Sequence, residues 1–530
     1  MNSKDIVLIT ILFLVAFSLW TLPFQENPLP FGEGDSAWHF ANGDPQFIND
    51  ESSVRMPYFI GVWYYSLSKL GPFAPEYPPP NHLNYALMQI VGGERFVAPF
   101  IYIAITCFLG IFATFFLIRK LYGSVPAFIA GFGLIYSVRE IMLYLWGQRP
   151  TMVSFVMIPM ILYALYSYVH GYYTNKHKPI YLYLFFLLVA GQFLLHIQGS
   201  VITFLCSFMF MIFMIAKYRK LPISKSNAKH YVIGIVVLLV LIVPFVPIYY
   251  GLELGEASGE RVSVTRLLKW SVEPGTYQGS YPDSYVQIDS HYHPLLLLLV
   301  GVGVILLLVR RKDTDLLILG WLAGVYLALH FDVFLGSSSP RIIRMMVAEP
   351  PLFFSLIGIA LTSLVGFIPA KKQLKNILRI GVVVLFVVFL LQVKAPTVKS
   401  TLSGAYQGLS RINPHQFEVS EWMMENLPED ALLYDHGALT YPKSRWMLVV
   451  SNRHINKWWG TLRNDTYLTG PQYFIMDYSD LAYLQGNQQY AQQTKELQAF
   501  EEHNFGNQTA IYDKNNIRIY EIIGEVRDIA

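Results

Sequence analysis

The chain has 530 residues, of which 54% are hydrophobic, 15% aromatic and only 14% charged, and its mean hydropathy is +0.39. Soluble globular domains carry nearer a quarter of charged residues, so this composition excludes a soluble protein and indicates a polytopic membrane protein. The net charge of +3 is too small to indicate a nucleic-acid partner. Cys107 and Cys206 both lie inside apolar segments, which supports neither a disulfide framework nor a cysteine metal site.

Apolar segments long enough, or nearly long enough, to cross a bilayer recur along the chain and predict about eleven transmembrane helices. These segments are Ile6–Leu22, Phe96–Ile118, Val125–Val138, Met152–Val169, Tyr181–Leu195, Val201–Ala216, Tyr231–Tyr250, Leu295–Val309, Leu316–Phe331, Ile342–Phe367 and Ile377–Val393. The first could pass for a signal peptide, but no small-residue cleavage site follows it, so we interpret it as a retained anchor helix.

Lysine and arginine are concentrated in every second connection between these segments. The residues are Arg119, Lys120, Lys176, Lys178, Lys217, Arg219, Lys220, Lys225, Lys229, Arg310, Arg311, Lys312, Lys371, Lys372 and Lys375. Cytoplasmic loops are enriched in both residue types, so the alternation predicts a cytoplasmic N-terminus. Loops 23–95 and 251–293 and the C-terminal tail are then extracytoplasmic, in the cell membrane or, in a eukaryote, in the endoplasmic reticulum membrane.

The fold class predicted is therefore a polytopic α-helical membrane protein with a C-terminal extracytoplasmic α+β domain. Residues 1–395 form the transmembrane domain and residues 396–530 the soluble domain. Within the long first outer loop we expect an interfacial helix at Tyr58–Leu70, and the polar loop 251–293 could cover a site as a lid. The soluble domain is predicted to contain a helix at Gln416–Asn426 and strands at Ala431–Tyr434, Trp446–Val450 and Ile517–Ile523.

An acidic stretch, residues 32–40, follows the first apolar segment directly and places two carboxylates and an imidazole at a membrane surface. Asp35 and His39 are four residues apart, so in a helix they would share one face and meet the same substrate. With Glu33 they are the candidate catalytic residues, because an acceptor hydroxyl or amide needs a nearby base. The alternative is that Asp35 caps a short interfacial helix with Glu33 solvated beside it.

Several arginines lie on the predicted outer side, against the usual charge bias. Arg149 follows the third segment, and Arg341 and Arg344 open the tenth, three residues apart. Guanidinium groups bind phosphate oxygens in pairs of hydrogen bonds, so these are candidate ligands of a lipid phosphate or pyrophosphate. His196, at an outer helix end, is a further candidate. The alternative for each arginine is that its side chain reaches lipid head groups, and for His196 that it is a satisfied interfacial residue.

This arrangement resembles the GT-C glycosyltransferases, and among them the catalytic subunit of the archaeal oligosaccharyltransferase. Gly34-Asp35-Ser36-Ala37-Trp38-His39 is similar to the first acidic motif of that family, and Ser271-Val272-Glu273 to an element of its mobile outer loop. Arg341-Ile342-Ile343-Arg344 resembles the helix that faces the lipid pyrophosphate. The run from Leu427 to Gly437 resembles the approach to the family's Trp-Trp-Asp-Tyr-Gly signature, although Leu433-Tyr434 replaces the tryptophan pair.

The resemblance implies that Asp35 serves catalysis and, in some members, metal binding, so that Mg²⁺ or Mn²⁺ is the cofactor it suggests. The family's second acidic motif has no counterpart here, because Trp146-Gly147-Gln148-Arg149-Pro150 occupies its place. Glu273 is expected to reach the acceptor from the lid. The partners implied are a polyprenyl-linked sugar donor, a protein, lipid or glycan acceptor, and the bilayer.

The function that follows is transfer of a sugar or oligosaccharide from a polyprenyl-phosphate or polyprenyl-pyrophosphate carrier to an extracytoplasmic acceptor. Oligosaccharyl transfer to protein asparagine is one alternative. A non-catalytic relative that keeps the fold is another, and a transporter or flippase of a polar lipid is a third. A transporter would need ionisable residues in the middle of its spans, where this sequence is almost purely apolar.

Overall fold

The structure is a computed structural model, and it describes residues 3–26, 28–32, 34–41, 43–44, 80–243, 264–268, 292–335, 345–405, 411–436, 441–457, 470–479, 488–524 and 526–527. The predicted interfacial helix Tyr58–Leu70 lies outside these residues.

The amino-terminal three quarters of the described chain is helical. Its α-helices are α1 (Ser3–Trp20), α2 (Leu22–Glu26), α3 (Gly34–Ala41), α4 (Pro80–Gly92), α5 (Val97–Tyr122), α6 (Ser124–Ile135), α7 (Val138–Leu145), α8 (Arg149–Val156), α9 (Ile158–Tyr173), α10 (Pro179–Leu195), α11 (Ile197–Tyr218), α12 (Ala228–Ile242), α13 (Pro294–Arg310), α14 (Asp313–Leu329), α15 (Phe331–Leu335), α16 (Glu349–Phe367), α17 (Lys372–Val393) and α18 (Ala395–Ser400). Short 3₁₀ turns occur at Val264–Leu268 and Met346–Ala348, and a π turn at Thr401–Ala405.

Each of the eleven predicted segments overlaps one of these helices, but fewer have the length and composition of a full membrane span. Within the described residues, six helices pass both criteria, and α6 with α7 forms a seventh candidate that is bent by 44°. Helices α10, α12 and α13 are apolar but shorter. Helix α14 has 17 residues, which at 1.5 Å per residue reaches roughly 26 Å, less than the ~30 Å hydrocarbon core. Helical structure is thus observed where spans are predicted, while the predicted count is not established.

Small residues bring helices of the bundle close together. Gly320 and Gly324 lie four residues apart on α14, and a Cβ at either would fall 2.4–2.6 Å from the backbone of α11 at Phe210 or Cys206. Helices in a bilayer associate through packing, and small residues spaced by four allow this approach. The pair α11 and α14 therefore forms a tightly packed unit of the bundle.

Three carboxylates pair with basic residues of the predicted inner loops. Asp5 on α1 bonds Arg119 at 2.5 Å, Asp313 bonds Lys217 at 2.6 Å, and Asp315 bonds Arg310 at 2.6 Å. Tyr122, three residues beyond Arg119, also donates to Asp315 at 2.9 Å. These contacts place three of the five basic loops at one end of the bundle together with the start of α1, as the charge alternation predicts.

The C-terminal region, residues 411–527, contains helices α19 (Pro414–Asn426), α20 (Tyr441–Ser451) and α21 (Gln488–Phe505), and strands β1 (Leu432–Asp435), β2 (His454–Lys457), β3 (Gln472–Asp477), β4 (Tyr512–Lys514) and β5 (Ile517–Glu521). The strands form a five-stranded sheet in the order β2-β1-β3-β5-β4. Strand β1 is parallel to β2 and β3, whereas β5 is antiparallel to β3 and β4. Asn515 and Asn516 join β4 to β5 with φ of +56° and +62°, the positive values that a tight hairpin turn needs.

The predictions for this region are confirmed at the first helix and at two of the three strands. The prediction of a strand at Trp446–Val450 is wrong, because these residues belong to α20. A short apolar run has no period that separates a strand from a buried helix. Trp446 joins the same buried hydrophobic cluster as Trp20 and Phe100 of the membrane helices, so the hydrophobic core continues from the bundle into the C-terminal region.

Candidate functional site

The acidic segment, residues 31–44, contains the acidic stretch 32–40. It follows the carboxyl end of α1, which is the end away from the three ion pairs. Helix α3 begins at Gly34, so Asp35 is its second residue and His39 follows one turn later. The segment is therefore helical at both residues, which is the condition under which the sequence places them on one face. His39 is buried, and the Ser36 hydroxyl donates to the Phe31 carbonyl oxygen at 3.0 Å, which fixes the turn into the helix. Glu33 and the side chain of Asp35 lie outside what the structure describes.

Arg149 is the first residue of α8 and is only 1% exposed, so its guanidinium does not reach lipid head groups. Its Nη2 donates to the Phe31 carbonyl oxygen at 3.1 Å, and its Cζ lies 4.7 Å from the centre of the Phe100 ring. Nε and Nη1 have no partner within hydrogen-bond distance in the part of the chain that is described, although the Tyr85 hydroxyl lies near the guanidinium. Burying a cation whose N–H donors have no partner costs free energy. An anion bound there would accept hydrogen bonds from both Nε and Nη1.

Two glycines allow the loop before α8 to touch the acidic segment. Gly147 has φ of +76°, and a Cβ there would lie 2.4 Å from the backbone nitrogen of Ser36. Gly32 has φ of +108°, and its Cβ would lie 3.3 Å from Arg149 Nη2. Both conformations favour glycine. The stretch 146–150 thus packs on the first turn of α3 and brings the Arg149 guanidinium to the residues directly before this helix.

Aromatic side chains enclose this guanidinium. The rings of Phe31 and Phe100 are 5.0 Å apart, and Tyr85 of α4 is buried beside Arg149. Burial raises the pKa of the Tyr85 phenol, and the charge of Arg149 opposes that rise only in part. The phenol therefore stays neutral and can donate a hydrogen bond. The surroundings are apolar enough to strengthen any charge interaction made there.

The C-terminal region reaches the same segment from the other side. The Trp446 indole Nε1 donates to the Gly32 carbonyl oxygen at 2.8 Å. Arg411 forms an isolated antiparallel bridge with Phe31, and its Nη2 donates to the Pro23 carbonyl oxygen at 2.8 Å. Sequence reasoning missed Trp446 and Arg411, since nothing local marks a partner some 400 residues away.

Arg139 of the same bundle is a buried arginine whose charge is balanced by a buried carboxylate. It is 1% exposed and its Nη1 bonds the buried Glu349 carboxylate at 2.7 Å. Its charge is thereby neutralised within the chain, although Nε and Nη2 lack partners among the described residues. Arg149 has no carboxylate within salt-bridge distance among these residues, and this difference makes it the stronger anion ligand.

His196 lies at the junction of α10 and α11 and is buried. Its Nδ1 accepts from the backbone N–H of Gln198 at 3.2 Å, so the imidazole caps the amino end of α11. The structure therefore gives His196 a capping role, which leaves its predicted contact with a carrier phosphate as a proposal. Three other predicted site residues, Glu273, Arg341 and Arg344, lie outside the described ranges.

The described side chains do not assemble a metal centre. Among them, no three histidine, cysteine, aspartate or glutamate residues converge as ligands. Asp44, which follows α3, is already bonded to Arg95 at 2.6 Å and Gln89 at 2.7 Å. The described side chains that bond the acidic segment include the guanidinium groups of Arg149 and Arg95, which suit an anion.

The fold is similar to that of solved membrane glycosyltransferases. The apo oligosaccharyltransferase of Archaeoglobus fulgidus aligns with a TM-score of 0.59 at 13% identity, over 92% of this chain and 72% of that one. Apo ArnT from Cupriavidus metallidurans aligns with a TM-score of 0.58 at 11% identity, over 98% and 99%. A second structure of the archaeal enzyme, AglB with an inhibitory peptide and a dolichol-phosphate, gives 0.54 at 14% identity, over 93% and 68%. Both proteins are GT-C glycosyltransferases, so the predicted resemblance to that fold is confirmed.

No curated protein matches the chain significantly. A described protein family, the family of unknown function DUF6541, matches residues 66–460. This match includes the helical bundle from the first outer loop onward and the C-terminal region as far as the residues after β2. The chain therefore belongs to the DUF6541 family.

Proposed function

We propose that this protein is a membrane glycosyltransferase that takes a sugar or oligosaccharide from a polyprenyl-phosphate or polyprenyl-pyrophosphate carrier. The observation that carries the proposal is the buried guanidinium of Arg149, two of whose donors have no partner among the described residues. This guanidinium binds Phe31, three residues before the helix that carries Asp35. A phosphate oxygen is the partner that such a fork binds best. The archaeal relative is seen with a dolichol-phosphate, which supports a polyprenyl carrier.

The reaction assigned to this site is a substitution at the anomeric carbon of the donor sugar. The acceptor oxygen or nitrogen bonds to that carbon, and the bond from carbon to the carrier phosphate oxygen breaks. Asp35 takes the acceptor proton or orients the acceptor, with His39 on the same helix. The carrier phosphate leaves with the bonding electron pair, and Arg149 stabilises its charge, as a preorganised cation does in a dry site.

The remaining predicted residues extend this scheme. Arg341 and Arg344 are assigned to the carrier phosphate together with Arg149 and His196, and Glu273 is assigned to the acceptor from loop 251–293. We assign the acceptor side, the lid and the C-terminal region to the extracytoplasmic face, with the N-terminus in the cytoplasm and the domain boundary near residue 395. The acceptor is a protein, lipid or glycan.

Oligosaccharyl transfer to protein asparagine is the second candidate. It is favoured by the fold shared with the archaeal oligosaccharyltransferase, which is seen with an inhibitory peptide. The sequence has no tryptophan pair before Asp435, and this favours an acceptor other than protein asparagine.

The test is transfer of radiolabelled glycan from a crude polyprenyl-linked extract by the purified protein. We compare wild type with Asp35→Asn, a neutral isostere, and with Asp513→Asn as the matched control, since the Asp513 side chain is 65% exposed. Transfer by wild type and the control, but not by Asp35→Asn, supports the proposal, and the labelled product identifies the acceptor. Carrier binding without transfer by any variant indicates a non-catalytic relative, and movement of intact carrier between leaflets indicates a flippase.

A further inference from the structure

Helix α20 of the C-terminal region is joined to the acidic segment at two points, directly at one and through Arg95 at the other. One point precedes α3 and the other follows it, so the two contacts bracket the helix that carries Asp35 and His39. Neither contact belongs to the chemistry proposed above.

The first contact holds the segment upstream of α3. Trp446 is fully buried, and its indole N–H bonds the Gly32 carbonyl at 2.8 Å. The preceding carbonyl, that of Phe31, accepts from Arg149 and from Ser36. Two consecutive peptide groups are therefore held, one by the membrane bundle and one by α20. The Trp446 ring also packs 5.8 Å from the ring of Phe40 on α3.

The second contact holds the segment downstream of α3 through Arg95. The guanidinium binds Asp44 with both Nε and Nη2, at 3.1 and 2.6 Å. The same group donates to the carbonyl oxygens of Val449 and Val450 at 2.6 and 2.9 Å. The last carbonyls of a helix have no partner within it and attract a cation. Asp44 is thus tied, through one arginine, to the carboxyl end of α20.

We infer that α20 is a clamp that positions the acidic segment, and that Trp446 is a positioning residue for the reaction. This inference rests on the proposed function, because it concerns the same site. It assigns the C-terminal region a part in the chemistry besides any contact with the acceptor. The substrate side of the site is then complete only when the C-terminal region is docked on the bundle.

The reason that such a clamp matters is geometric. Asp35 lies on a helix of eight residues, which is too short to be stable by itself in water. Displacement of a reacting group by about 1 Å costs on the order of 100-fold in rate. A clamp at both ends restricts α3 without contacting the substrate.

The test combines hydrogen–deuterium exchange with steady-state kinetics on the full-length protein in nanodiscs. Trp446→Phe removes the indole N–H and keeps an aromatic ring. Trp422→Phe is the matched control, since Trp422 of α19 is half-buried against Tyr512, with ring centres 5.0 Å apart. No hydrogen bond or ring contact joins it to the described residues of the acidic segment. Arg95→Lys keeps a charge near Asp44 but lacks the fork that spans Asp44 and α20.

We expect Trp446→Phe and Arg95→Lys to speed exchange in peptides covering residues 31–44, while peptides of β1 and β3 stay protected. The kcat for transfer should fall tenfold or more, and the KM for the donor should stay within about twofold. Unchanged exchange in residues 31–44 overturns the clamp, and so does a loss of protection throughout the C-terminal region in both variants. If wild type transfers nothing, the proposed function fails, but the exchange data still decide whether α20 holds the segment.

Discussion

Arg149 is the residue on which the proposed site depends most. A guanidinium inside a protein normally has a carboxylate partner, as Arg139 has in Glu349. Among the described residues, Arg149 instead has a carbonyl oxygen and two aromatic rings, and two of its donors have no partner there. Natural proteins retain a buried charge without a carboxylate partner, which costs free energy, mainly where function requires it.

The first prediction concerns this guanidinium. Arg149→Lys keeps the charge but loses the planar fork, so affinity for a polyprenyl phosphate should fall by about 10- to 100-fold, the equivalent of one or two charge-assisted hydrogen bonds. Displacement of a fluorescent polyprenyl phosphate from the purified protein measures this affinity. Lys399→Met removes an exposed cation instead and should leave the affinity unchanged. Wild-type affinity in Arg149→Lys would show that the phosphate lies elsewhere.

Asp313 at the opposite end of the bundle gives a prediction about pH. Burial alone would raise its pKa, but hydrogen bonds from Lys217, His170 and Tyr218 outweigh burial and hold the pKa below its usual value. A carboxylate with a lowered folded-state pKa stabilises the protein above its unfolded pKa, near 4, and loses this effect as the pH falls through the folded value.

Asp313→Asn should therefore lower the free energy of unfolding by about 1.5–3 kcal/mol at pH 7. The difference from wild type should shrink as the pH falls below about 4. Thermal unfolding in detergent across this range measures it, and Asp513→Asn serves as the exposed control. A difference that grows in acid would contradict the sign of the pKa shift.

At the scale of elements, the loop before α8 is placed by Gly147. Two effects destabilise an alanine at this position. Its φ would be positive, and its Cβ would lie 2.4 Å from the Ser36 backbone. Gly93 has a similar φ of +68° with nothing within 4 Å of its Cβ, so Gly93→Ala measures the backbone strain alone.

We expect Gly147→Ala to lower the thermal stability more than Gly93→Ala does, by on the order of 1–3 kcal/mol, and to abolish most transfer. Thermal unfolding and the glycan-transfer assay, run on both variants in parallel, check this. Equal effects of the two substitutions would mean that the loop and α3 do not need their close approach.

The elements also show what sequence reasoning can reach. Apolar runs located the membrane helices, because that signal is local, whereas the spacing of Asp35 and His39 indicated a shared face only if the segment were helical. The same reasoning assigned Trp446–Val450 to a strand, since an apolar run of five residues has no distinguishing period. It also missed the partners of Gly32 and Asp44, which lie 414 and 51 residues away in the chain. Contacts of that separation leave no local pattern.

For the whole molecule, the basic loops and the acidic segment lie at opposite ends of α1, which makes the predicted topology testable. Cys107 and Cys206 are free and buried, so a membrane-impermeant maleimide should report only introduced cysteines. We expect Lys495→Cys, on α21, to react in intact cells, and Lys225→Cys, in a basic loop, to react only after permeabilisation. The reverse pattern would invert the proposed orientation.

The hydrogen bond between Trp446 and Gly32 has a consequence for how the protein is made. The two residues are 414 positions apart, so at 5–20 residues per second the ribosome needs roughly 20–80 s between them. During that interval the acidic segment has left the ribosome without one of its two supports. The geometry of the proposed site can therefore form only late in synthesis, after the membrane helices are in place, and a truncated product would insert into the bilayer without this support.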